Sequence, residues 1–416
     1  MVGTGIFTSL GFQVGGLPSG FAIMALWAVG GVCALCGALS YAELGAALPR
    51  SGGEYRFLGA IYHPAAGFLA GWISATVGFA APVALAAMAF GRYFAGLAPG
   101  ANALAVSLAV VWVATFFLLR TVRLGSAFQD ASTLLKVALI LVIIAAGFLV
   151  THAQPVSFFP AAGDGALVRS APFAISLVYV MYAYSGWNAS TYIVGEMRNP
   201  ARDIPRSVGL GTLLVAGLYL GVNAAFLRST PAAEMAGKVE VGLVAGGYLF
   251  PGAGTALMAG LICAGLVSSI SAMMWIGPRV TMAMGEDLPA LRWLARKSAE
   301  GIPVRAMLVQ FAIVNGLLLT STFDRVLTYV QFSLQVCSFF TVLGVIVLRW
   351  TQPGLARPYR TWGYPVTPLI FLAVSAWMLV NIWRSNPHES LGGLATMALG
   401  LAIYFLAPRV GADSVK

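Results

Sequence analysis

Apolar residues recur along the whole chain in runs separated by short polar stretches. A hydrocarbon core of about 30 Å takes about 20 apolar residues in a helix. Runs of that kind fall at 19–46, 63–95, 103–119, 125–150, 171–196, 207–227, 250–284, 304–322, 326–348, 366–384 and 390–408. They predict eleven spanning helices. A shorter apolar piece, 2–14, precedes them. At 1.5 Å per residue it covers about 20 Å and does not cross. The longest polar connections, at 151–169, 228–249 and 285–303, are too short for a separate domain. The pattern predicts a single all-α polytopic membrane domain.

Two runs are broken. The chain opens MVGTGIF, with Gly3-Thr4-Gly5 at the head of the short piece, and LVYVMYAYSGWNASTYIVGE carries Ser185-Gly186 at mid-depth. Each glycine weakens a helix by about 1 kcal/mol. Backbone groups freed there cannot face lipid and need protein or a wet cavity. A single such glycine also suits a close helix–helix contact. Two interruptions five segments apart point to a five-plus-five inverted repeat with a ligand site at the midplane.

Composition agrees with a membrane chain: 59% of the 416 residues are hydrophobic and 9% charged, against about 25% charged in soluble domains. The net charge of +10 comes from 24 Lys and Arg. If the short piece exits outward, seventeen of them fall on the inner side and six on the outer, leaving Lys136 within a span. The excess predicts a cytoplasmic C-terminus and contact with anionic lipid. No basic, aromatic-studded face lies outside the apolar runs, which argues against a nucleic-acid partner. Cys33, Cys36, Cys263 and Cys337 all sit in apolar segments and read as small packing residues. The CALC spacing of the first two lacks the βαβ setting of a redox dithiol. His63, His152 and His388 are scattered, and neither GxSxG nor HExxH occurs, so no metal, cofactor or enzymatic centre is expected.

GTGIF, YAELGAALPRSGGEY and YAYSGWNASTYIVGEMRNPARDIPRS together resemble the amino acid–polyamine–organocation superfamily, above all its L-type amino acid permeases and their bacterial relatives. The similarity runs from Met1 to about Arg360. It implies a twelve-segment fold with the first segment truncated at its N-terminal half: repeats over 1–150 and 170–350, then two further helices within 366–408. Members of the superfamily carry about a dozen helical residues before the Gly-Ser/Thr-Gly. The expectation is therefore that Met1 is a misplaced start or that the gene is truncated.

The resemblance implies sodium-independent secondary transport of amino acids by alternating access across the cytoplasmic membrane, with no obligatory protein partner. A zwitterion suits broken helices. The N–H groups of Gly3, Thr4 and Gly5 would receive its carboxylate, and carbonyls at Met1, Val2, Tyr182, Ala183 and Ser185 its ammonium. Tyr182 matches a gating aromatic that is commonly Phe; without the resemblance it reads equally as a packed tyrosine. Asn188 would bond substrate or unwound backbone, or only tie helices together. Glu43 with Arg50, and Glu196 with Arg198 and Asp203, are solvated end charges or ion pairs of an inner gate. Lys136 lies about eleven residues into its span, roughly 16 Å along the axis, where a lysine costs about 3 kcal/mol. In the superfamily a lysine there occupies the place of sodium, which implies contact with the Val2–Gly3 carbonyls and with Ser268, Ser269 or Ser271. The serines also fit plain helix packing. Spans facing the site lack acidic residues at mid-depth, which favours neutral substrates. The alternatives are a cationic amino acid or polyamine carrier, a non-transporting sensor, or an inactive truncated permease.

Overall fold

The computed structural model describes residues 2–50, 52–120, 125–197, 199–299 and 301–406, and it is helical throughout, with no strand among the described residues. Two short turns open it, α1 (Thr4–Thr8) and α2 (Leu10–Gln13). The first long helix is α3 (Gly20–Ala47), started by Ser19, whose hydroxyl accepts the Ala22 N–H. The amphipathic α4 (Glu54–Ile61) follows in the connection. Next come α5 (Pro64–Ile73) and α6 (Ala80–Leu97), one continuous span interrupted by a π-helical turn at Ser74–Gly78. The first half closes with α7 (Ala103–Arg120) and α8 (Gly125–Leu149).

The second half begins with α9 (Asp164–Val168) and α10 (Ala171–Tyr184), the latter continued by a 3-10 segment, Trp187–Glu196. After it come α11 (Pro200–Ser229), α12 (Ala232–Met235), α13 (Val241–Leu249) and α14 (Ala253–Asp287). A 3-10 turn at Pro289–Ala295 leads to α15 (Val304–Thr320) and α16 (Phe323–Thr351). The chain ends its described course in α17 (Val366–Ser385) and α18 (Pro387–Leu406).

Every one of the eleven expected spans contains a helix. Among the described residues, nine helical stretches are long and apolar enough to cross a bilayer by themselves. The other two are α15 and α10, the latter with 14 residues. That is about 21 Å of α-helix, and the 3-10 continuation extends it far enough to cross. The connections hold short helices (α4, α9, α12, α13), of which α13 (VGLVAGGYL) is apolar but too short to cross.

Burial separates the bundle into an inner and an outer set. α3, α5–α6 and α16 are buried over most of their length, whereas only about a fifth of α7 and α18 is buried. Their exposed positions are mostly apolar, among them Trp112 and Phe117 on α7 and Leu399 on α18. A helix that is apolar all round and still exposed has lipid as its solvent. Inside, α3 packs along α11, α6 along α14, and α8 against both α11 and α14. The stub α1 lies against α10 in the middle. The basic residues Arg56, Arg349 and Arg357 gather at one end of the bundle, called here the basic end.

Candidate substrate site

The two chain breaks meet. α1 crosses α10 so closely that a Cβ on Gly5 would lie 2.5 Å from the Cα of Ala183. Only a residue without a side chain permits that approach. α10 stops after Tyr184: Ser185 is extended and Gly186 takes the left-handed conformation, φ +92°. Residues with a Cβ rarely adopt it, so Gly186 sets the point where the chain turns into the 3-10 segment.

The freed carbonyls find partners. Ser185 N–H donates to the Tyr182 carbonyl at 3.0 Å, and the Tyr219 hydroxyl of α11 donates to the Ala183 carbonyl at 3.2 Å. Each carbonyl oxygen keeps a second lone pair. Ser9 donates to the Tyr179 carbonyl at 3.2 Å, and Tyr93 of α6 to the Phe7 carbonyl at 2.8 Å. These bonds fix the α1 turns against α10 and α6 without any charged group.

Where the breaks meet, a cavity of about 440 Å³ opens. Small-molecule pockets run from about 300 to 1,000 Å³. Its wall includes the backbone of Val2–Gly5, the break from Tyr182 to Asn188, the π turn at Ser74 and Gly78, and Lys136. The first N–H groups of a helix have no intrahelical acceptor, so the start of α1 presents donors at this wall. Tyr182 is buried beside it, within hydrogen-bonding reach of the Thr4 hydroxyl.

Lys136 is 8% exposed in the middle of α8. Its ammonium donates to Ser269 Oγ at 3.1 Å and Ser268 Oγ at 3.4 Å, both on α14. Gly265, one turn before them, leaves room for the lysine stem: a Cβ there would lie 3.3 Å from Lys136 Cγ. Lys136 and Gly3 also share the wall of a second pocket of about 10 Å³, room for about one water.

Comparison with known proteins identifies the family of the chain. The model of the family described as amino acid permease matches residues 1–406. The chain belongs to the amino acid permease family. It is 26% identical to the b(0,+)-type amino acid transporter 1 of Mus musculus, over 98% of this chain and 84% of that protein. It is 27% identical to the Asc-type amino acid transporter 1 of Mus musculus and 28% to the large neutral amino acids transporter small subunit 2 of Rattus norvegicus, in both cases over 98% of this chain and 78% of the relative. These relatives are membrane transporters, not enzymes, and the permease is a multi-pass integral membrane protein of the same kind.

Several expected site residues of the permease stand elsewhere than the sequence suggests. Ser271 is half-buried and takes no part in the Lys136 hydrogen bonds, which go to Ser268 and Ser269. It shares a face with Ser268 but lies three residues, about 4.5 Å, further along the axis. Glu43 does not pair with Arg50, which is exposed. Its carboxylate, 1% exposed, takes a bidentate pair from Arg349 at 2.9 and 2.7 Å and the Thr361 N–H at 2.7 Å, with Arg357 at 3.6 Å. It therefore joins the basic end of α3 to α16 and the connection after it. Asp203 is exposed in the first turn of α11. Met1, Arg198 and the Glu196 side chain lie outside the described residues.

The largest correction concerns acidity. The spans bring no carboxylate to the cavity, but α4 does. Gly52 and Gly53, at φ +128° and +52°, turn the chain back under the bundle. Glu54 then borders the cavity at 1% exposure. The Tyr41 hydroxyl of α3 donates to it, as does Ser338 of α16 at 3.2 Å, and the Asn188 amide of the 3-10 segment lies close by. Asn188 thus reaches the cavity floor rather than standing free toward a ligand. Burial pushes the Glu54 carboxyl above its ordinary range, with the three donors pulling the other way. The glycine pair before Glu54 was the available signal for this placement.

Toward the end opposite the basic one, an aromatic stack lies about one turn of α10 before Tyr182. The Tyr179 ring stacks on Phe12 at 5.0 Å, and Phe12 on Phe323 at 5.8 Å. The Tyr179 hydroxyl donates to Asp324 of α16. No group of three or more His, Cys, Asp or Glu that could hold a metal occurs among the described residues.

Proposed function

We propose that the permease carries neutral, zwitterionic amino acids by sodium-independent alternating access, with the cavity between α1 and the α10 break as the substrate site. The observation that carries this reading is the contact of Gly5 with Ala183 beside a cavity of about 440 Å³. Backbone donors and carbonyls border that space, and Lys136 supplies a fixed cation next to it. A cation already bonded to α14 at 3.1 and 3.4 Å leaves no need for sodium there. Residues 1–150 and 170–350 would form the two inverted repeats, with the 366–408 helices outside them. The basic end would face the cytoplasm, as the loop charges favour. The stack of Phe12, Tyr179 and Phe323 would then be a closed outer gate.

The names of the relatives support amino acids as the cargo class. Neutral cargo is supported by the engagement of Glu54: with Tyr41 and Ser338 bonded to it and the Asn188 amide beside it, it is not a free counter-ion for a substrate side chain. A second reading draws on the same residue. If those bonds open, Glu54 would pair with a cationic side chain, and the cargo would be arginine, lysine or a polyamine. Competition in reconstituted proteoliposomes separates the two. Leucine, alanine or serine should outcompete arginine and putrescine; the reverse order sinks the neutral assignment.

A further inference from the structure

Glu54 is the one carboxylate that borders the cavity among the described residues. It stands between the cavity and the basic end, two residues before Arg56, which pairs with Asp287 at 3.0 Å at that end. Three separate elements surround it: α3 and α16 donate to it through Tyr41 and Ser338, and the broken helix brings the Asn188 amide close to it. Trp187, next to Asn188, packs edge-on against the Tyr41 ring at 4.6 Å. The floor of the cavity is therefore one polar knot with a carboxylate at its centre.

The groups that face this carboxylate are Tyr41 from α3, Tyr192 from the 3-10 segment and Cys337 from α16. All are phenols or a thiol. α5, packed along α4, brings no titratable side chain. No cation lies against Glu54 from these elements. A buried carboxylate without a cation is stabilised only by its donors. Once protonated, a carboxyl becomes a donor itself and accepts less strongly. It then no longer holds the donors of α3 and α16 while drawing the Asn188 amide of the broken helix.

We propose that Glu54 is a proton-binding site on the substrate path, clamping α3, α16 and the broken helix beneath the cavity when charged and releasing them when protonated. This rests on reading the cavity as the substrate site. Opening toward the basic end requires these three elements to part, so proton binding speeds it. The proton comes from and returns to water, and no other reactant is needed. Glu54 acts on transport by positioning the floor, not by touching cargo.

The test is counterflow of radiolabelled leucine, alanine and serine in proteoliposomes, with equal pH on both sides, from about pH 8 to about pH 5.5. The wild type should speed up several-fold toward acid. Glu54→Gln, neutral at every pH, should run at the wild type's acid rate with a flat profile. Ser338→Ala removes one donor from the charged form, so its profile should move to higher pH by about one unit. Identical profiles for the wild type and Glu54→Gln overturn the proposal. A wild type that exchanges none of the three amino acids overturns the substrate-path reading as well, which separates the two failures.

Thermal unfolding gives a readout independent of flux. Because the folded carboxyl lies above its unfolded value, its neutral form favours folding at low pH, and that contribution is lost as pH rises through the folded value. Glu54→Gln should therefore gain on the wild type as pH rises. A gap that stays constant across the range counts against proton binding at Glu54.

Discussion

Replacing Lys136 by Ala should leave the permease folded and nearly abolish transport. The stability side follows from two opposing terms. Its ammonium makes hydrogen bonds of 3.1 and 3.4 Å to Ser269 and Ser268, and a bond to a charged group is worth about 1.5–3 kcal/mol. Holding a lysine at the centre of a membrane helix costs about 3 kcal/mol. Removing both leaves a net change of no more than about 3 kcal/mol. The functional side has no such offset, because the cation between α8 and α14 is simply gone. A loss of tenfold or more in flux is expected, equivalent to about 1.4 kcal/mol or more on the transport barrier. Lys136→Met keeps an apolar stem against Gly265 and separates charge from packing. The assay pairs thermal unfolding in detergent with counterflow in sodium and in choline media. Wild-type uptake that requires sodium, or full flux in either variant, refutes the reasoning.

Two further perturbations probe the crossing and the basic end. Gly5→Ala would put a Cβ 2.5 Å from Ala183 Cα and 2.7 Å from its Cβ; overpacking of about 1–3 kcal/mol should force α1 and α10 apart and abolish flux. Gly15→Ala, where nothing lies within 4 Å, should be silent, and equal behaviour of the two variants would remove the close crossing as a cause. Glu43→Gln strips the buried carboxylate from Arg349 and Arg357 and should lower stability by about 3–5 kcal/mol, read as a fall in the unfolding midpoint. The double variant Glu43→Gln/Arg349→Gln should lose less than the sum of its parts; strict additivity would show that the pair is not coupled.

The membrane architecture was legible in the chain because hydropathy is a local property: an apolar run must find lipid or protein wherever it is placed. The breaks were legible too, since Gly3, Gly5 and Gly186 act through the backbone at their own positions. Lys136 could be singled out by its depth alone. The partner of each polar group was a different matter. Ser268 and Ser269, not Ser271, meet Lys136 because of the rotation and axial register of α14 against α8, which no pattern of apolar residues in so uniformly apolar a helix records. Glu43 found Arg349 and Arg357, some three hundred positions away, rather than the neighbouring Arg50. The π turn at Ser74–Gly78 lies inside an unbroken hydrophobic run and leaves no mark on it. Glu54 belongs to a stretch that reads as an ordinary connection. Only the fold of α4 back under the bundle, between α3 and α16, takes that carboxylate out of water and makes it the floor of the cavity. Sequence determines which segments leave water and where the backbone can bend. Tertiary packing decides which buried polar groups meet, because their bonds depend on helix rotation and register across elements far apart in the chain.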